Sequence, residues 1–204
     1  MTKSLNRSVS IVLPEGLFPL SCAVTMSNEQ FEAFCFANPE LVVEREPDGT
    51  LTLMSPVSPI SGNRENEISI DLGLYARKNG GKAFSSSTGF RLPDSSVRSP
   101  DACYVSAEQL AKFTDDDLRH FAPIVPEFIV EVLSPSDNLS VLQEKMSKAW
   151  IANGVQLAWL VDVDNDRLWV YRADHSVELV TPLDHEITGE DILPGFTFDL
   201  SLLT

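Results

Sequence analysis

The chain has 204 residues, 43% hydrophobic, 22% charged and 8% aromatic, which gives one domain with a real core and excludes a disordered or fibrous chain. Fifteen basic residues against 30 acidic ones leave a formal net charge of −15, so any nucleic-acid role must work through a local basic patch, bound cations or a partner. Three cysteines without a CxxC pair exclude a disulfide framework and a zinc knuckle, and Pro14, Glu15 and Pro19 break the apolar stretch from Ile11 to Leu20, so the chain reads as a bacterial-type cytoplasmic protein with no membrane anchor.

Residues 1–24, rich in Ser and Pro and without a clear period, read as an arm that packs loosely or stays mobile, ahead of a single domain over 25–204. Ser27 and Gln30 make a capping box before Phe31, Phe34 and Cys35, predicting a helix over 28–37 that Pro39 ends. LVVERE and LTLMS predict a hairpin across a two-residue turn at Asp48-Gly49, since Asp-Gly supplies the positive φ angles such a turn needs. The spacing of Ile68, Leu72 and Tyr75 predicts an amphipathic helix over 63–79, closed by Gly80-Gly81. AFSSSTGFRLP and VRSPDACYVS read as a strand pair around Asp94, Ser95 and Ser96, Ser106 to Leu110 as a short helix, and Thr114 to Asp117 as a solvated loop.

The segment PEFIVEVL over 126–133 is apolar on both faces and predicts a central, buried strand. A Ser134 to Asn138 loop follows, in which Ser134, Ser136 and Asp137 shape the cap of a helix over 141–153 with Gly154 just past its end. QLAWLVDV and RLWVYR form a hairpin across Asp164, Asn165 and Asp166, with a further strand over 177–180 and a final segment from Phe196 to Leu200. Helices interleaved with hairpins point to α/β or α+β with a mixed central β-sheet.

Phosphate-loop, GxSxG, HExxH and SxxK patterns are absent, and His120, His175 and His185 stand far apart in polar surroundings, as surface residues do. Carboxylates remain. Glu131 shares a strand face with Ile129 and Leu133, where an unpaired charge costs several kcal/mol, so a bound cation or a basic partner must compensate it. The plainer readings are a structural ion pair, a hydrogen-bonded cap of a neighbouring loop, or a strand end open to water. Asp101 follows Pro100, a place where Asp often only caps a turn. Delivered from a strand beside Glu131, it makes a pair of hard carboxylates suited to Mg²⁺ or Mn²⁺ more than to zinc.

The stretches TGFRLPD…VRSPDACYVS, PEFIVEVLSPSD and KMSKAWIANGVQLAWLVDV, with EREPDGTLTLMSP and SGNREN upstream and LPGFTFDL downstream, resemble in order and spacing the Uma-two family of restriction-endonuclease-like proteins, within the PD-(D/E)xK nuclease superfamily. The resemblance covers residues 26–200. It implies an α/β, PD-(D/E)xK restriction-endonuclease-like core that hydrolyses DNA phosphodiesters with Mg²⁺ (or Mn²⁺), held by Asp101, Glu131 and the backbone carbonyl of Val132. The superfamily's lysine stands two residues after the acid, where this chain has Leu133, and the resemblance then implies Lys145 on the next helix in its place.

Around that helix Lys145 falls about 85° from the centre of the buried arc and Lys148 about 145°, so Lys145 sits at the edge and Lys148 faces water. A lysine stem lying along the core beside its charged tip is the plainer reading of Lys145. The stretch from Lys145 to Gly154 is one residue longer than the family leads one to expect. The superfamily often sets an acid on the first long helix to hold a metal-bound water, a role that falls here to Glu67 unless it is surface charge, and Glu44 has a similar claim. The implied partner is DNA, bound weakly without metal, with Arg91, Arg98, Lys145 and Lys148 as a basic rim if the fold gathers them. Two strand cuts need two active sites, which suggests a homodimer. The alternative is a non-catalytic module of the same fold acting through protein partners, favoured by Leu133 and the net charge.

Overall fold

Continuous apolar runs in the second half of the chain and one long amphipathic helix before them dictate where the core forms. The computed structural model describes residues 20–22, 25–135 and 137–204. Its elements in chain order are β1 (Leu20–Cys22), α1 (Asn28–Ala37), β2 (Val43–Arg45), β3 (Leu51–Leu53), α2 (Pro59–Asn79), β4 (Lys82–Ser85), β5 (Phe90–Arg91), β6 (Val97–Arg98), β7 (Ala102–Val105) and α3 (Ala107–Leu110). They continue as β8 (Phe128–Val132), α4 (Leu139–Lys145), β9 (Leu157–Asp162), β10 (Arg167–Arg172), β11 (Val177–Val180), β12 (Glu186–Thr188) and β13 (Thr197–Asp199). Between α4 and β9 the helix runs on as a π turn over Met146–Trp150 and a 3₁₀ turn over Ile151–Asn153.

Two sheets carry the fold. A five-stranded sheet has the order β1-β3-β2-β6-β5, and a six-stranded sheet has the order β11-β10-β9-β8-β7-β4. In the second, β8 runs antiparallel to β7 and parallel to β9, and all five of its residues are buried. The expected mixed sheet with 126–133 at its centre is therefore present. Helices cover both faces. Ile68 and Leu72 of α2 join Phe128, Val130 and Trp159 on one side, where the Phe128 and Trp159 rings meet edge to face at 4.8 Å. On the other side Met146 and Trp150 join Cys103, Ile129 and Leu160. Full burial of each such apolar side chain contributes about 1.5–3 kcal/mol.

The helix ends follow their capping chemistry. Ser27 Oγ accepts the Gln30 N–H at 3.3 Å and Gln30 Oε1 accepts the Ser27 N–H at 2.9 Å, closing the expected capping box of α1. Helix α2 starts at Pro59, four residues before the predicted 63, because Ser58 caps it and a proline in the first turn has no N–H to satisfy. Past its end Gly81 has φ of +80°, and a Cβ there would lie 2.5 Å from the Val105 carbonyl oxygen.

Two expected connections differ. The β2–β3 loop holds three residues, since the Glu46 N–H donates to the Thr50 carbonyl at 2.8 Å and the Gly49 N–H to the Glu46 carbonyl at 2.9 Å. Pro47 fixes a negative φ at the first loop position, so only Gly49, at +90°, adopts a positive one. The strand pair around Asp94 to Ser96 is split between the sheets. Phe90↔Arg98 pairs in the first, while Lys82↔Val105 to Ser85↔Ala102 pair in the second. The return arm breaks at Ser99-Pro100-Asp101, where Pro100 has no N–H for a ladder.

Of the expected arm over 1–24, residues 20–22 form a strand against β3, and the others lie outside the described residues. Strand β12 was not expected; it pairs with β13 in the final segment. Among the described residues no helix is long and apolar enough to cross a membrane.

Candidate active site

The break after β6 decides where Asp101 goes. Extending the Ala102↔Val130 register by one residue sets it opposite Glu131, and its Oδ2 accepts the Val132 N–H at 2.7 Å. Glu131 is 4% exposed, and its Oε1 takes two contacts from the helix that follows: the Trp150 indole Nε1–H at 2.7 Å and the Lys145 Nζ at 2.9 Å. The two acids expected from neighbouring strands therefore stand opposite each other, and the base that compensates the buried Glu131 is Lys145.

Lys145 reaches further. Its Nζ also lies 3.4 Å from Oε1 of Glu44, a buried residue of β2 in the other sheet. Glu44 in turn accepts Arg98 Nη1 at 3.0 Å and the Ser99 N–H at 2.9 Å, and Arg98 bonds Glu46 as well. The Lys145 side chain is 17% exposed and the Lys148 side chain 76%, the latter pairing only with Glu144 one turn back. The edge and water-facing positions read from the helical wheel are those observed, and it is the charged tip of Lys145, not only its stem, that is buried.

Between Lys145 and Gly154 the helix widens into a π turn over Met146–Trp150. At about 100° per residue, side chains five apart on an α-helix diverge by about 140°. Lys145 and Trp150 are five apart, yet both touch one oxygen of Glu131, and the Nζ stands 5.8 Å from the Trp150 ring centre. The wider i→i+5 turn stacks them.

Helix α2 brings a further acid, Glu65. Burial and then the charge of Glu131 push its carboxyl up. Glu67, the residue expected there, stands two positions on, accepts Asn63 Nδ2 at 3.4 Å and repels Asp71. The structure thus groups Asp101, Glu131 and Lys145 and leaves Glu67 outside. Ser61, Glu65, Ile68 and Leu72 form one stripe at helical spacing, a signal visible in the sequence once the helix is started at Pro59.

The electrostatics are those of an acid-rich interior. Burial, then the charges of Glu131 and Glu65, raise the Asp101 carboxyl well above the usual carboxylate range. Burial also raises Glu131, with Lys145 working against it. Burial opposes the Lys145 charge, but Glu131 and Glu44 hold its ammonium well above the ordinary lysine range. Glu44 falls below its ordinary value in spite of burial, through Lys145, Arg98 and the Ser99 N–H.

Four carboxyl groups, Glu44, Glu65, Asp101 and Glu131, are gathered in one cluster around two cations, Lys145 and Arg98, and burial with this crowding is what raises Asp101, Glu131 and Glu65. Its acceptors are all oxygens. Among the described residues no three His, Cys, Asp or Glu side chains form a metal cage on their own. One or two carboxylates completed by water and substrate oxygens are the habit of Mg²⁺, and the donor set fits it.

Leu133, at the expected lysine position, lines a cavity of about 400 Å³ at the carboxyl ends of β8 and β9, with Ser134, Asp137, Asp162, Asn165 and Arg167. In the loop the Ser134 N–H donates to Asp137 Oδ2 at 2.8 Å, the helix cap is Asn138, and Ser136 lies outside the described residues. His120, His175 and His185 are exposed. The basic rim is not gathered: Arg98 is consumed by Glu44 and Glu46, and Arg91 lies by Glu29 of α1.

No curated protein matches the chain. A solved structure described as a "putative nuclease belonging to DUF820" from Anabaena variabilis is similar in fold, with a TM-score of 0.70 at 16% identity, covering 87% of this chain and 97% of that one. The model of the Uma2 family, described as "Putative restriction endonuclease", matches residues 28–202. That span takes in both sheets from β2 onward, the split hairpin and the helix that carries Lys145, and the chain belongs to the Uma2 family.

Proposed function

We propose that the protein is a Mg²⁺- or Mn²⁺-dependent endonuclease that hydrolyses DNA phosphodiester bonds. The observation that carries this reading is the Lys145 ammonium 2.9 Å from Glu131 in a chain with Leu133 at the usual lysine position. Asp101, Glu131 and the Val132 carbonyl would hold the cation, and Glu65 would take the place on the long helix expected of Glu67. When bound, the cation supplies an acidified water and neutralises charge on the phosphate. Lys145, held by Glu44 as well as Glu131, would keep a positive charge at Nζ beside the transferred group. Its burial between two sheets excludes water and strengthens that charge where it is needed. The DNA is held mainly through this centre, because the rest of the surface repels phosphate, and a homodimer supplies the second cut.

The test is plasmid nicking and oligonucleotide cleavage with Mg²⁺, Mn²⁺ or EDTA. Cleavage is expected with either cation and not with EDTA, with Lys145→Ala slower by roughly 100-fold or more and Lys148→Ala unchanged. Equal rates for the two lysine variants remove Lys145 from the site. Absence of cleavage together with absence of Mn²⁺ binding by calorimetry transfers the chain to the non-catalytic reading.

A further inference from the structure

We infer that Trp150 is a positioning residue for Glu131, and that the π turn exists to put its indole N–H on the carboxylate that Lys145 also holds. The inference rests on the function proposed above and adds to it a residue with no charge and no place in the expected motif.

A buried tryptophan of this fold does not need such a bond. Trp159, on the neighbouring strand and equally buried, leaves its Nε1 without a partner and serves as filler between Phe128 and Phe196. Trp150 is also fully buried, but its Nε1–H is aimed at Glu131 Oε1 at 2.7 Å. The helix gives up regular α geometry over five residues to achieve this. An unbroken α-helix that kept Lys145 on Glu131 would turn Trp150 about 140° away. Both donors fall on the same oxygen, so the carboxylate plane is fixed by two directions, one of them independent of charge. Lys145 alone could not do this, because its ammonium competes with a divalent cation for Glu131, whereas an indole N–H orients the group without adding positive charge. Outer partners of metal-ligating carboxylates act in this way, and their loss typically weakens metal affinity 10–100-fold.

The experiment is Mn²⁺ calorimetry on the full chain, with thermal melts as the folding control. Trp150→Phe keeps an aromatic ring and removes the N–H, and it is expected to bind Mn²⁺ roughly 10–100-fold more weakly than wild type. Trp150→His restores a ring N–H and is expected to recover part of the loss. Deleting the exposed Ser147 leaves Lys145 and Trp150 four residues apart, which an ordinary α-helix stacks, so affinity is expected to stay within a few-fold of wild type. Wild-type affinity in a folded Trp150→Phe overturns the inference. If that variant does not fold, the deletion decides, and a tenfold loss in a folded deletion overturns it. A wild-type chain that binds no Mn²⁺ overturns the proposed function instead.

Discussion

Glu131 and Asp162 are buried carboxylates at the carboxyl ends of two parallel neighbours, β8 and β9, and they are satisfied in opposite ways. Asp162 is closed by its own hairpin: Asn165 Nδ2 at 2.9 and 3.0 Å and Arg167 Nη2 at 2.8 Å, from three and five residues along. Glu131 is met by Trp150 and Lys145 from the following helix, while Asp101, just before β7, and Glu65, on α2, lie close enough for its charge to raise both their carboxyls. A carboxylate closed locally shapes a turn. One on which acids converge from distant parts of the chain is held against repulsion, which folding alone gives no reason to assemble.

The sharpest way to break this contrast is Glu131→Ala. It leaves the Lys145 ammonium to Glu44 alone and the Trp150 N–H without an acceptor in the core, so roughly 3 kcal/mol of stability is expected to go, along with all Mn²⁺ binding, as read by denaturant melts and calorimetry. Loss of stability with Mn²⁺ affinity intact makes Glu131 another Asp162. Metal addition probes the same point from the other side. At 100 times its Kd, Mn²⁺ is expected to stabilise the wild type by about 2.7 kcal/mol and Asp101→Ala not at all. Equal stabilisation of both removes Asp101 from the centre. Asp162→Ala is the smallest change: about 1–3 kcal/mol for the unsatisfied Asn165 amide, with Mn²⁺ affinity unchanged. A fall in affinity there means that the two strand ends act as one site.

What could be read from the residues alone was what local chemistry writes. Ser27 and Gln30 announce a helix start, 126–133 announces a central strand, and an acid on a fully apolar strand face announces a site. The family resemblance points to a lysine on this helix, and a helical wheel then distinguishes the edge position of Lys145 from that of Lys148. Glu65 is hidden for a local reason: the spacing of Ile68, Leu72 and Tyr75 predicts a start at 63, so the stripe loses Ser61, its first member. Glu44 was undervalued for a different one: it belongs to the other sheet, and no periodicity encodes how two sheets close on each other. Pro47 lengthened a turn that Asp48-Gly49 alone made look like two residues, and Pro100 divided a strand pair that looked continuous.

Lys145 touches Glu44 of the five-stranded sheet and Glu131 of the six-stranded one, so its single ammonium spans the seam between them. Parting the sheets breaks a buried ion pair on one side or the other, an event as unfavourable as exposing a piece of core. Amide protons of β2 and β8 are therefore expected to exchange with solvent through one shared opening, at one free energy, although the strands belong to different hydrogen-bonded ladders. In Lys145→Met that shared opening separates into two, with β2 exchanging first.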